Sequence, residues 1–206
     1  VSSTRQPRRR MPRAERERQM IAVAEEIFAE RGYQASSMDE IAEGVGVSKP
    51  MLYEYFGSKE GLLVACIRQA RAELLATTLA SVEGVLSARE ALERGLVAFF
   101  GFIDSHRRSW ALLRQEAAVA GQAAMDEIEA VRQQQTEVNA TLFGSYLVGV
   151  PDRDLQAYGE IVVGACERLA QWYVTREDVT AEDAAELIMR MVWHGLGGAT
   201  GTHSHA

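Results

Sequence analysis

Apolar residues recur along this chain at intervals of three and four, the spacing of one face of an α-helix. Met20, Ile21, Ala24, Ile27 and Phe28 set the pattern early, and Phe99, Phe102 and Ile103 repeat it further on. No Asn-Gly or Asp-Gly hairpin signal breaks it. The prolines are Pro7, Pro12, Pro50 and Pro151, so residues 51–150 carry none of the breakers that remove an N–H and clash with the preceding turn. The pattern predicts an all-α chain. Helices are expected over about 14–30, from Met38 through Gly44, from Ser48 for about seven residues, and from Ser58 past Leu75. Others are expected over about 88–106, 109–118, 122–147, 154–175 and 181–198, the last with Glu182 and Asp183 in its first turn.

The local signals of the first third are specific. Gly32 stands where a left-handed C-terminal cap is usual. Ser37-Met38-Asp39-Glu40 reads as a capping box, with the hydroxyl accepting from the Glu40 N–H and the carboxylate reaching back to the Ser37 N–H. In Val45-Gly46-Val47 a glycine between two apolar residues allows a sharp turn while both valines pack inward. Ser48 is placed to cap the next helix, and Pro50 falls in its first turn, where a missing N–H costs nothing. Ile41, Ala42, Val45, Val47 and Leu52 are then the inward positions, and Ala42 is small enough for a close crossing. A plain αα-hairpin would share these features. The outward face of the short third helix, Lys49, Met51, Tyr53 and Tyr55, favours a helix-turn-helix whose second helix enters the major groove.

Charge first argues against that reading and then for it. The 206 residues carry a net charge of -7, with pI ≈ 5.2, and phosphate binding needs cations. The average hides two surfaces. Residues 1–60 hold ten basic and ten acidic side chains, while residues 61–206 hold 12 basic and 19 acidic ones. Five arginines and no acid occupy residues 1–13, and the only lysines are Lys49 and Lys59. A hydrophobic share of 47% with 25% charged residues is the composition of an ordinary globular protein, which excludes disordered and collagen-like classes. No run approaches the ~18 apolar residues of a membrane span, and the arginine-rich start lacks a signal-peptide h-region. Cys66 and Cys166 read as free buried thiols of a cytoplasmic chain.

The run from Ser37 to Ala42, then Gly46-Val47-Ser48-Lys49-Pro50-Met51-Leu52-Tyr53-Glu54-Tyr55-Phe56-Gly57-Ser58-Lys59-Glu60-Gly61-Leu62-Leu63, resembles the tetracycline-repressor (TetR) family of bacterial transcriptional regulators. The resemblance covers roughly residues 14–65. It implies an N-terminal three-helix helix-turn-helix DNA-binding domain over 14–60 and a helical effector-binding and dimerisation domain over 61–206, whereas the arginine run within residues 1–13 reads from its own composition as a flexible basic arm following phosphates into the minor groove or as a disordered solubilising tail. Residue by residue, it implies DNA contact by Ser37, Ser48, Lys49, Pro50, Met51, Tyr53, Tyr55 and Lys59. Ammonium and phenol groups suit phosphates, while Pro50 and Met51 suit base edges such as a thymine methyl. Leu52 and Phe56 match core positions. Met51 departs from the small residue often seen there, and Glu54 adds a carboxylate that either meets a cytosine amino group, pairs with Lys49 or faces solvent.

The expected partners are a double-stranded operator, a second copy of the chain and an unidentified small apolar or aromatic effector, with no membrane, metal or cofactor. The leading function is a homodimeric repressor. The alternatives are an activator of the same fold, or an all-α ligand-carrier or interaction protein with a vestigial helix-turn-helix. Phe99, Phe102, Ile103, Trp110, Phe143, Tyr146 and Trp172 are the candidate pocket residues. Two stripes, Tyr158, Val162, Cys166, Leu169 and Tyr173, then Ile188, Met191, Val192 and Leu196, are the candidate dimer interface, with Gly164, Gly195, Gly197 and Gly198 allowing close approach. No phosphate loop, nucleophile elbow or zinc-protease motif occurs, so no enzyme is expected. His106 and His194 stand alone, and His203 and His205 lie near the C-terminus.

Overall fold

The computed structural model describes residues 11–107, 110 and 122–199, with backbone alone for 123, 124, 127, 128, 131 and 194–199. Among them are eight helices: α1 (Arg13–Arg31), α2 (Met38–Val45), α3 (Lys49–Phe56), α4 (Lys59–Val82), α5 (Ala88–Ser105), α6 (Gln122–Tyr146), α7 (Asp152–Tyr173) and α8 (Ala181–Ala199). The expected helix over 109–118 apart from residue 110, residues 1–10 of the expected arm, and His203 and His205 lie outside the described residues, while Arg13 of that arm is the first residue of α1. No described helix is long and apolar enough to cross a membrane.

Local chemistry sets the boundaries. The capping box is complete, with Ser37 Oγ accepting from Glu40 N at 3.2 Å and the Glu40 carboxylate accepting from Ser37 N at 2.9 Å. Ser58 caps α4 by accepting from Gly61 N at 2.9 Å. Ser48 is the N-cap of α3 by position, yet its hydroxyl makes no capping bond. Gly46 takes φ 76°, ψ 35°, and its N–H closes α2 on the carbonyls of Ala42 and Glu43. Ala42 is buried in the core, and α2 also approaches α1 closely at Gly44. A Cβ on Gly44 would stand 2.9 Å from Val23, so glycine is what lets α2 lie on α1.

Two cores form. One unites α1, α2, α3 and the first half of α4 around Met20, Phe28, Ile41, Leu52, Leu63 and Ile67. The other joins the second half of α4 to α5–α8 around Leu74, Leu96, Phe100, Ile103, Tyr173 and Ala184. The first core reaches Ala70 and the second begins at Leu74, both on α4. The expected boundary at residue 60 therefore falls ahead of the real change of core, because a helix capped at Ser58 runs on without interruption.

Candidate functional site

α3 buries Leu52 and turns Ser48, Lys49, Pro50, Tyr53 and Glu54 to solvent, with Tyr53 at 44% exposure. Met51 and Tyr55 are half-buried on its flank. The start of α1 supports that flank: the Arg13 guanidinium lies 4.8 Å from the Tyr55 ring centre, and Arg16 Nη1 is 3.6 Å from Met51 Sδ. Lys49 Nζ donates to Asp39 at 2.8 Å, and Asp39 pushes the ammonium pKa up. Lys49 thus pairs with Asp39 on α2, leaving Glu54 facing solvent. The exposed set is a cation, a phenol and a proline edge on two helical turns, suited to phosphate and base contacts.

Two expected DNA contacts are occupied inside the protein. Lys59 Nζ donates to the carbonyls of Ser36 (2.7 Å) and Gln34 (3.4 Å) and lies 4.4 Å from the Tyr33 ring centre. It ties down the loop between α1 and α2 by charge-assisted hydrogen bonds. The Ser37 hydroxyl and N–H both serve Glu40, which also pairs with Arg31. Both residues therefore act first on the geometry of the reading head.

A narrow apolar slot of ≈ 80 Å³ opens between α4, α5, α6 and α7. Phe99, Trp110 and Phe143 line it, as expected from the sequence. The other four expected pocket residues do not. Phe102 stacks on the His106 ring at 4.2 Å, Ile103 is fully buried in the core, and Tyr146 donates its hydroxyl to the Val85 carbonyl at 2.8 Å. Trp172 is on the outer side of α7, 41% exposed, with the Arg176 guanidinium 5.4 Å from its ring centre. Sequence reasoning missed the α4 wall, Leu75, Leu79 and Val82, because aliphatic residues on a long helix look like any core stripe. Cys166 also lines the slot, and burial pushes its thiol up to about 12, so it is an inert apolar surface.

The expected dimer stripes split. Val162, Cys166, Tyr173 and Ile188 are buried in the chain's own core, and Tyr158, Leu169 and Val192 pack at its edge. Of the eight whose side chains are described, Met191 alone is strongly exposed, at 82%; the Leu196 side chain and the surroundings of Gly195, Gly197 and Gly198 lie outside the description. Among the described residues, the exposed large apolar side chains of α7 and α8 are Ile161, Trp172, Leu187 and Met191. Gly164 is exposed and crosses nothing within the chain, whereas Gly159 meets the Thr136 carbonyl, 2.8 Å from where a Cβ would stand.

Between the two cores, acid groups crowd together. Glu25 on α1 has a buried Oε1 without a hydrogen-bond partner among the described residues. Burial first, and Glu73 on α4 second, push its pKa up to about 7. His106 Nε2 approaches Glu73 at 3.7 Å from the end of α5. Among the described residues no cluster of His, Cys, Asp and Glu is arranged to hold a metal.

Comparison with known proteins agrees with this geometry. The family model of bacterial regulatory proteins of the tetR family matches residues 20–66, and that of the tetracyclin repressor-like C-terminal domain matches residues 88–195. The transcriptional activator FasR of Mycolicibacterium smegmatis is 28% identical over 193 residues, 91% of this chain and 85% of FasR. The transcriptional repressor KstR2 of Mycobacterium tuberculosis is 26% identical over 86% of this chain and 91% of its own length. The crystal structure of a TetR-like transcriptional regulator from Rhodococcus sp. RHA1 is 36% identical over 92% of this chain and all of that one, with a TM-score of 0.71.

Proposed function

Because the chain belongs to the TetR family of bacterial regulatory proteins, we propose that it acts in the cytoplasm as a homodimeric repressor released from a pseudo-palindromic operator by a small apolar effector. At the coarser level it is a DNA-binding transcription regulator and not an enzyme. The observation that carries the DNA-binding reading is the outward face of α3, where Lys49, Pro50 and Tyr53 stand exposed on a helix anchored by buried Leu52. Two such helices, related by a two-fold axis, would enter successive major grooves about 34 Å apart. The open apolar surface of Ile161, Trp172, Leu187 and Met191 supports pairing through α7 and α8. The slot beside α4 supports effector binding, and an effector shifts the equilibrium only by preferring the head spacing that does not fit DNA.

A second reading has its own observation. The relative FasR carries the name of an activator, and the same contacts serve activation when the operator lies upstream of a promoter. The test is operator binding by fluorescence anisotropy, on DNA from upstream of the chain's own gene, with random duplex as competitor. Wild type is expected to prefer the former at physiological salt, and the double change Lys49→Ala, Tyr53→Ala to abolish the preference while circular dichroism and dimer mass stay unchanged. Equal binding of both duplexes by wild type would overturn the regulator reading. A reporter gene then separates repression from activation.

A further inference from the structure

The walls of the slot are not chemically uniform along its length. α4 contributes Leu75 through Val82, α5 Ala91 through Phe99, and α6 Gln135 through Phe143. At 1.5 Å per residue each stretch spans about 11–13 Å, so a volume of ≈ 80 Å³ describes a thin channel. Leu75 sits on the head side of α4 and Val82 at its far end. Arg71, one turn before Leu75, places its guanidinium 5.5 Å from the Trp110 ring centre and donates to Gln135 Oε1 at 3.4 Å. Glu167 pairs with Arg132 at 3.1 Å. Trp110, Gln135 and Glu167 therefore gather at the head-proximal end, and Val82, Leu92 and Leu142 leave the distal end apolar.

Most polar groups of the lining already have partners. Thr78 Oγ1 donates to the Leu74 carbonyl at 2.9 Å, and Asn139 Nδ2 to the Gln135 carbonyl at 2.9 Å. Trp110 is different. It is 5% exposed, it lines the slot, and its buried Nε1 has no acceptor among the described residues. A buried N–H left unpaired costs free energy that a ligand oxygen would recover. The Glu167 carboxylate in the same wall opposes a second negative charge.

We infer that the slot takes a neutral, unbranched molecule whose carbonyl oxygen accepts from Trp110 Nε1 at the head-proximal end, with its apolar chain running toward Val82 and Leu142. The inference rests on the effector reading above and deepens it. The ligand class is an ester, amide or ketone on a single alkyl chain. An anionic carboxylate and a bare hydrocarbon are its two discriminating neighbours, one for charge and one for the missing acceptor.

The test titrates the intact protein with methyl octanoate, octanoate and nonane, following affinity by calorimetry and the Trp110 indole N–H resonance by NMR. The ester is expected to bind about fivefold more tightly than nonane, the size of one hydrogen bond, and octanoate more weakly than the ester. The indole resonance should move downfield with the ester and not with nonane. Trp110→Phe should bring the ester down to the affinity of nonane. If that variant does not fold, the wild-type indole shift decides alone. Tighter binding of octanoate, equal binding of ester and nonane, an unmoved indole resonance, or no binding of the ester would each overturn the inference. Operator binding by the same preparation shows separately whether the regulator reading stands.

Discussion

Replacing Glu25 by glutamine should make the protein more stable at neutral and alkaline pH and change little in acid. Glu25 keeps its proton until about pH 7, because α1 packs it against α4 near Glu73 with one oxygen buried and unpaired. In the unfolded chain the same group ionises near 4.5. The folded state therefore holds the extra proton between these values, and stability falls as pH rises from about 4.5 to about 7. Moving one ionisation across that window corresponds to at most about 3 kcal/mol. Glu25 is only partly buried, so solvent screening brings the effect to about 1–2 kcal/mol. Glutamine keeps the shape and removes the titration. Urea unfolding of wild type and Glu25→Gln, at equal protein concentration because a dimer's stability depends on it, measures the difference at pH 8 and at pH 4.5. The variant should lead by about 1–2 kcal/mol at pH 8, with the gap closing toward pH 4.5. A gap independent of pH, or a variant no more stable at pH 8, would refute the account of Glu25 as a strained buried acid.

Deleting residues 1–13 should weaken operator binding and flatten its dependence on salt, by about 0.9 in the logarithmic slope for each arginine that meets a phosphate. An unchanged slope would mean that the arm stays off the duplex. Met191→Glu places a charge in the open apolar surface of α7 and α8 and should shift the proposed dimer toward monomer in light scattering, without lowering helix content. Gly159→Ala forces a methyl to within 2.8 Å of the Thr136 carbonyl, and should cost about 1–3 kcal/mol by urea unfolding as α6 and α7 part. Ser37→Ala removes the hydroxyl half of the capping box and should cost about 1 kcal/mol while leaving the exposed face of α3 in place.

What could be read from the chain and what could not divides along the range of the interactions. Ser37 and Glu40, Gly46, and Ser58 act within a turn of themselves, so their roles were legible before any coordinates. The helices of the body were legible because their apolar period persists over several turns. Which neighbour each face meets was not. α7 carries one apolar face with Val162, Cys166 and Tyr173 and another with Ile161 and Trp172, and periodicity alone does not say which is inside. The same blindness placed Trp172 in the pocket and left Leu75, Leu79 and Val82 out of it. Lys59 shows the remaining limit: its motif position suggested a phosphate, but the loop carbonyls of Gln34 and Ser36 reach it only once α1 and α2 are folded.

α4 belongs to both cores, and its glycine is confined to Gly61 in the first turn, with no proline anywhere along it. Such a helix transmits rotation as a stiff lever. From Leu74, where the body's core begins, to Lys59 is about 22 Å of helix. A tilt of ~5° at the slot walls would sweep the head end through about 2 Å, and with a two-fold partner the spacing of the two heads would change by about 4 Å against half-sites set about 34 Å apart. A displacement of about 0.7 Å at Leu79, about 7.5 Å of helix beyond Leu74, would then be read out as a misfit on two turns of DNA.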